Sequence, residues 1–157
     1  KIIPECQTNF VFAKKNPKKI MDVLGISGRL VKSGKEVVTA GEIVYGGSQH
    51  VGTAVIQVNK KFPKVRSGIN IKYNPKIIAK AKKSKFTVLS YDRSKEPKKS
   101  KQKENSSISW GISNIINAKS PDIIYHKGDV GKEPMILIFG NNPDDVIRKV
   151  SKFTPFH

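Results

Sequence analysis

The chain has 157 residues, enough for one domain with a substantial core, and its 37% hydrophobic content in regularly spaced apolar runs argues against disorder. A formal charge of +18 points toward an anionic partner, whether nucleic acid, an anionic membrane or a phosphorylated small molecule. No apolar run is long enough to cross a membrane and no signal-peptide pattern is visible; the lone Cys6 excludes an internal disulfide and a self-contained cysteine zinc site. A cytoplasmic location is the default expectation.

In chain order, Thr8 to Ala13 reads as a first strand. Asn16-Pro17 then offers an N-cap and a first-turn proline for a short helix, with Ile20, Met21 and Leu24 as its stripe and Gly25 as its stop. Ile26 to Val31 and Glu36 to Ala40 read as a hairpin around Lys32-Ser33-Gly34-Lys35. Gly46-Gly47-Ser48 leads into an amphipathic helix carrying Val51, Ala54, Val55, Val58 and Phe62. A glycine pair at a helix start can hold an anion on backbone N–H groups, although a plain N-cap has the same pattern.

Gly68 to Tyr73 alternates as a strand, Asn74-Pro75 opens a second helix, and Phe86 to Tyr91 is a further strand. The polar, lysine-rich stretch from Asp92 to Asn105 is expected to be a mobile loop. Ile108, Ile112, Ile115 and Ile116 trace a helix containing Trp110 and Gly111. Two apolar runs, Ile123 to Tyr125 and Met135 to Phe139, flank the loop His126-Lys127-Gly128-Asp129-Val130-Gly131-Lys132-Glu133-Pro134, and Asn142-Pro143 starts a last helix. Strands alternating with helices predict an α/β domain, a three-layer α/β/α sandwich with a mixed sheet.

The lysine beside glycine in the last loop suits a phosphate, and the carboxylates of Asp129 and Glu133 suit a hard cation such as Mg²⁺. A polar turn with a surface ion pair is the plainer alternative. Most of the lysines are accounted for by a lysine-coated surface of the kind found in thermophiles or AT-rich genomes. Only Arg29, Arg66, Arg93 and Arg148 are arginines, and the Lys95 to Lys103 run has no interleaved aromatics, which argues against nucleic acid as the partner.

Several stretches together resemble one family. These are Ile3-Pro4-Glu5 with Thr8-Asn9, Gly28-Arg29-Leu30-Val31, Tyr45-Gly46-Gly47-Ser48-Gln49-His50-Val51, and Arg66 with Asn70-Ile71-Lys72-Tyr73. Tyr91-Asp92-Arg93 with Glu96-Pro97, Trp110-Gly111, and Pro121 to Pro134 complete the set, in order over nearly the whole chain. The chain resembles the ThiN-type thiamine-phosphate synthase domain of archaea and some bacteria, usually fused behind a hydroxymethylpyrimidine (phosphate) kinase domain.

The resemblance implies residues 1–157 as a single domain, the C-terminal part of a longer, homodimeric, cytoplasmic protein. It implies a transferase that joins hydroxymethylpyrimidine diphosphate to hydroxyethylthiazole phosphate, with Mg²⁺ as cofactor. By related chemistry it also implies a dissociative route through a pyrimidine-methyl cation, in which departing pyrophosphate must be stabilised and water excluded. The family's catalytic arginine and histidine fall on Arg29 and His50. Asn9, Gly47, Ser48, Arg66, Asn70, Asp92, Arg93, Glu96 and Lys132 are candidates for substrate or phosphate binding, and Asp129 and Glu133 for Mg²⁺. Plainer roles compete: Arg29 as a surface strand residue, His50 as a helix-cap residue, Asn9 and Asn70 as backbone partners at strand ends.

The sequence departs from the family at Gln7, at Gly52-Thr53, where a small residue and an arginine are usual, and at His126-Lys127, where Asp-Arg is frequent. The missing arginine after His50 puts phosphate affinity in question more than the fold. An alternative from another class is the non-catalytic, thiamine-phosphate-sensing effector domain of a repressor, which uses the same fold; retention of Arg29 and His50 favours the enzyme.

Overall fold

The computed structural model describes residues 8–97 and 106–153. Its centre is a seven-stranded sheet in the order β5 (Ile43–Tyr45), β2 (Val23–Ile26), β1 (Phe10–Ala13), β6 (Ser67–Lys72), β9 (Met135–Gly140), β8 (Ile123–His126), β7 (Val88–Ser90). Only the β7–β8 pair is parallel, which makes the sheet mixed. A separate hairpin, β3 (Leu30–Ser33) and β4 (Glu36–Thr39), is tied to the sheet by a bridge between Thr8 and Leu30.

The sheet separates two apolar layers, because alternate residues of a strand face opposite sides. Leu137 and Phe139 of β9 join Val11, Ala13 and Ile124 beneath α1 (Gln49–Lys61) and α3 (Ser106–Ile115). Ile136 and Ile138 join Ile69, Ile71 and Ile123 beneath α2 (Pro75–Lys83) and α4 (Pro143–Phe153). This is the expected three-layer sandwich. Both downstream Asn-Pro starts work as read: the Asn74 side chain accepts the Lys76 N–H at 2.9 Å and that of Asn142 the Asp145 N–H at 2.9 Å.

The Asn16-Pro17 helix does not form. Asn16 has φ 49°, which is not the extended conformation of an N-cap, and only a short 3₁₀ turn follows at Ile20–Asp22. Leu24 and Gly25, expected as helix stripe and stop, lie in β2, where Leu24 pairs with Phe12. A helix of so few residues is marginal by itself, and the β-branched Val23 and Ile26 gain more by completing the edge of β1. The expected strand from Ile26 to Val31 is likewise split: Ile26 ends β2, and the chain turns at Ser27-Gly28 before β3. A Cβ at Gly28 would collide with the Ala40 carbonyl, so glycine lets the hairpin base close. The loop expected from Asp92 to Asn105 is described only to Pro97, and the remainder lies outside the described residues.

Asn9, at the start of β1, ties three segments together. Its Oδ1 accepts the Ile26 N–H at 3.1 Å, and its Nδ2 donates to the carbonyls of Ile26 at 2.8 Å and Gly47 at 3.4 Å. Its backbone N–H donates to Asn70 Oδ1 at 2.6 Å. Asn9→Ala is expected to cost about 2 kcal/mol, since it strands the buried Ile26 N–H and takes a donor from the Gly47 carbonyl. Urea denaturation checks this; a loss under about 1 kcal/mol would contradict the clamp.

Candidate active site

The clamp sets the loop that feeds α1. Gly46 turns at φ 77°, and a Cβ at Gly47 would run into the Gly25 carbonyl, so β2 and the loop pack backbone to backbone. Buried Ser48 is the N-cap of α1 but its hydroxyl makes no cap hydrogen bond. His50 follows in the first turn, half-buried overall, with its Nε2 sealed from solvent and unpartnered among the described residues.

Three cations act on His50. Burial and the charges of Arg93, Arg29 and Lys132 bring its pKa down to about 4, so the imidazole is neutral at physiological pH. Arg29 reaches this point from the hairpin base, exposed and held at φ 66° by the bond from its N–H to the Ile26 carbonyl and by its own carbonyl, which accepts from Ala40. A non-glycine residue in the left-handed region carries strain, a feature that concentrates at functional sites. Lys132 comes from the β8–β9 loop, where Gly128 at φ 83° and Gly131 at φ 69° form the turn bridged by Asp129 and Lys132.

The inner wall comes from β7, β8 and α3. Tyr91, one residue past β7, is seated on Gly111 of α3, where a Cβ would enter its ring. Its other neighbour is His126 at the end of β8, with ring centroids 5.3 Å apart. Arg93 is buried and lies 4.0 Å from the Glu96 carboxylate, whose other oxygen accepts the Ser107 hydroxyl. Burial, followed by the charges of Arg93 and His50, takes the His126 pKa to about 3, while burial raises that of Tyr91 to about 12. Both groups are neutral across the physiological range.

A profile of the family described as thiamine-phosphate synthase ThiN matches residues 1–152. The chain belongs to the ThiN family. Membership puts it among the thiamine-phosphate synthases, transferase-type enzymes of thiamine biosynthesis. It is 37% identical over 147 residues to the thiamine-phosphate synthase ThiN of Methanothermobacter thermautotrophicus, covering 92% of this chain and 77% of that protein. It is 36% identical over 154 residues to the bifunctional thiamine biosynthesis protein ThiDN of Methanocaldococcus jannaschii, covering 95% of this chain but 35% of that protein. A crystal structure of the C-terminal domain of a phosphomethylpyrimidine kinase superposes with a TM-score of 0.91 at 43% identity, covering 98% of this chain and 88% of that one.

Within this ThiN domain, Arg29, Gly47, Ser48, His50, Arg93, Glu96 and Lys132 gather around one end of the α1–α3 face. Asn9 and Asn70 lie beside them, but Asn9 spends its amide on backbone and Asn70 takes the Asn9 N–H, so they shape the pocket instead of lining it with free groups. Asp92 is exposed and accepts both the N–H and the hydroxyl of Ser94; these bonds lower its pKa, while nearby Asp129 acts in the opposite direction.

Arg66 stands apart from this group. It stands just before β6, donates to the Ala13 carbonyl at 3.0 Å and stacks over Phe12, with its guanidinium carbon 4.6 Å from the ring centroid. It follows the C-terminal end of α1, whereas His50 lies in that helix's first turn, about 20 Å away at 1.5 Å per residue, so the fold does not bring Arg66 together with the other candidates. Tyr91 and His126 were visible as motif residues but had no assigned role; only the fold brings them against His50.

Proposed function

We propose that this domain condenses hydroxymethylpyrimidine diphosphate with hydroxyethylthiazole phosphate to thiamine phosphate and pyrophosphate, with Arg29 and His50 as its catalytic residues. The observation that carries the reading is the sealed, neutral His50 imidazole ringed by Arg29, Arg93 and Lys132. Such a cationic pocket is stabilised by a ligand that brings several negative charges.

The bond between the pyrimidine methylene carbon and the diphosphate oxygen breaks, and its electron pair leaves with the diphosphate. The thiazole nitrogen lone pair then closes on the methylene carbon, leaving a thiazolium and needing no net oxidation. Arg29 grips the leaving diphosphate with two parallel N–H bonds, and Lys132 adds a point charge. His50, being neutral in the free pocket, donates a hydrogen bond there and takes up a proton only as diphosphate charge offsets the surrounding cations.

Mg²⁺ fits this arrangement as a cation held chiefly by the diphosphate. Among the described residues no three His, Cys, Asp or Glu side chains group as a metal cage, whereas Asp92 and Asp129 lie within electrostatic reach of each other. Asp129, with Glu133 on the same loop and Asp92 facing it, would hold such an ion through hard oxygen ligands, where it adds charge neutralisation to the leaving group.

The natural setting includes the cytoplasm and an upstream pyrimidine kinase domain, by analogy with the bifunctional relative and with the phosphomethylpyrimidine kinase whose C-terminal domain superposes on this chain. A homodimer belongs to the same reading. The edge strand β5 exposes Ile43 and Tyr45, and the adjoining hairpin exposes Val37 and Val38, an apolar edge suited to a second copy. Ile43→Lys is expected to convert the dimer to monomer in sedimentation velocity, and a native monomer would contradict it.

The test of the activity is turnover with both substrates and Mg²⁺, in which thiamine phosphate and pyrophosphate should form in equal amounts. Tight binding of thiamine phosphate without turnover would overturn the enzyme reading in favour of a sensor.

A further inference from the structure

Five buried polar atoms lack a partner among the described residues: Thr8 Oγ1, His50 Nε2, Tyr91 OH, Arg93 Nε and His126 Nε2. The last four belong to one cluster, since Tyr91 and His126 are in ring contact and His126 feels the charges of Arg93 and His50. Buried polar atoms are nearly always satisfied, so a cluster of unsatisfied ones marks where a ligand completes the structure. His126 and Tyr91 are 1% and 7% exposed.

Their chemistry differs from that of the outer pocket. The Gly128 N–H donates to His126 Nδ1 at 3.1 Å, so the proton of the neutral ring sits on Nε2, which is a donor and nothing else. The protonated Tyr91 hydroxyl both donates and accepts. Arg93, the cation at this depth, is partly balanced by Glu96. Exposed Arg29 and Lys132 act on His50 from the surface side. A diphosphate matches those exposed cations; the buried side, with its neutral polar atoms and the flat Tyr91 ring, matches an uncharged planar heterocycle with ring-nitrogen acceptors and an amino donor.

Given the synthase reading, we propose that Tyr91 and His126 form the seat of the aminopyrimidine ring, with His126 Nε2–H donating to a ring nitrogen and the Tyr91 hydroxyl accepting from the exocyclic amine. His126 is then a substrate-selecting residue distinct from the diphosphate-binding cations.

The experiment compares His126→Leu and His126→Gln with the native chain. Leucine removes the donor, whereas the glutamine side-chain amide restores an N–H at similar reach. Calorimetry gives the affinities for pyrimidine diphosphate and for inorganic pyrophosphate, and steady-state kinetics gives KM for both substrates. His126→Leu should weaken pyrimidine diphosphate about tenfold, the value of one hydrogen bond to a buried donor. Pyrophosphate affinity and the thiazole KM should stay within about twofold, and His126→Gln should recover most of the loss. Equal weakening of pyrophosphate would overturn the proposal and assign His126 to the phosphates; unchanged pyrimidine affinity in a folded His126→Leu would overturn it outright. A native chain that binds pyrimidine diphosphate through His126 without turnover would retain the seat and sink only the synthase reading.

Discussion

Arg29→Gly is expected to fold about as stably as the native chain and to lose roughly 100- to 1,000-fold in kcat, the cost typical of removing one preorganised donor from a site of developing negative charge. The two effects separate because of the backbone. Arg29 sits at φ 66° in an exposed turn, a conformation that glycine adopts without strain. Relief of that strain offsets the extra freedom glycine has when unfolded, leaving a net change within about 1 kcal/mol. The missing guanidinium has no such compensation, since its charge is one of three that act on His50. Arg29→Lys should recover only part of the rate, because an ammonium cannot make two parallel bonds to a phosphate. Urea denaturation and kcat measured on the same preparations check both halves; a glycine variant within threefold of native kcat would remove Arg29 from catalysis.

His50→Ala is expected to lower kcat by about 100- to 10,000-fold, the range for a positioned proton-transfer or hydrogen-bonding group. Its pH dependence is the sharper prediction. Burial and the charges of Arg93, Arg29 and Lys132 depress the His50 pKa to about 4 in the free enzyme, so the neutral ring persists as pH falls through the usual histidine range. The inflection that His50 contributes to kcat/KM should therefore lie near pH 4. With diphosphate bound, the added negative charge opposes those cations, so the corresponding limb in kcat should move upward. Rate profiles of kcat and kcat/KM on the native enzyme test this; a kcat/KM limb at the ordinary histidine value, absent in His50→Ala, would show a solvated, unperturbed ring.

The sequence disclosed the sandwich because its signals were local. Asn74-Pro75 and Asn142-Pro143 carry their own caps, and the apolar runs of β8 and β9 are bounded by glycine and proline. Asn16-Pro17 has the same lettering, but the fate of Val23 to Ile26 depended on the open edge of β1, a partner nonadjacent in the relevant register. Arg29 and His50 were legible only through resemblance. Spacing does not show that a hairpin base and a helix start meet at the Asn9 clamp. Arg66 lies only a few residues from Asn70 in sequence, yet the extended β6 strand separates the two by about 13 Å at 3.3 Å per residue. Tyr91 and His126 meet because β7 runs parallel to β8, a pairing that requires the intervening α3 crossover and leaves no mark in either strand.

The most direct measurement is the titration of the His50 imidazole by nitrogen-15 NMR, with His126→Gln and His50→Ala spectra used for assignment, in the absence and presence of saturating pyrophosphate. A midpoint near 4 is expected in the free protein, rising by at least about one unit when pyrophosphate occupies the pocket, a coupling of about 1.4 kcal/mol. A midpoint near the ordinary histidine value in the free protein, or one that pyrophosphate leaves unmoved, would contradict a cationic diphosphate pocket around His50.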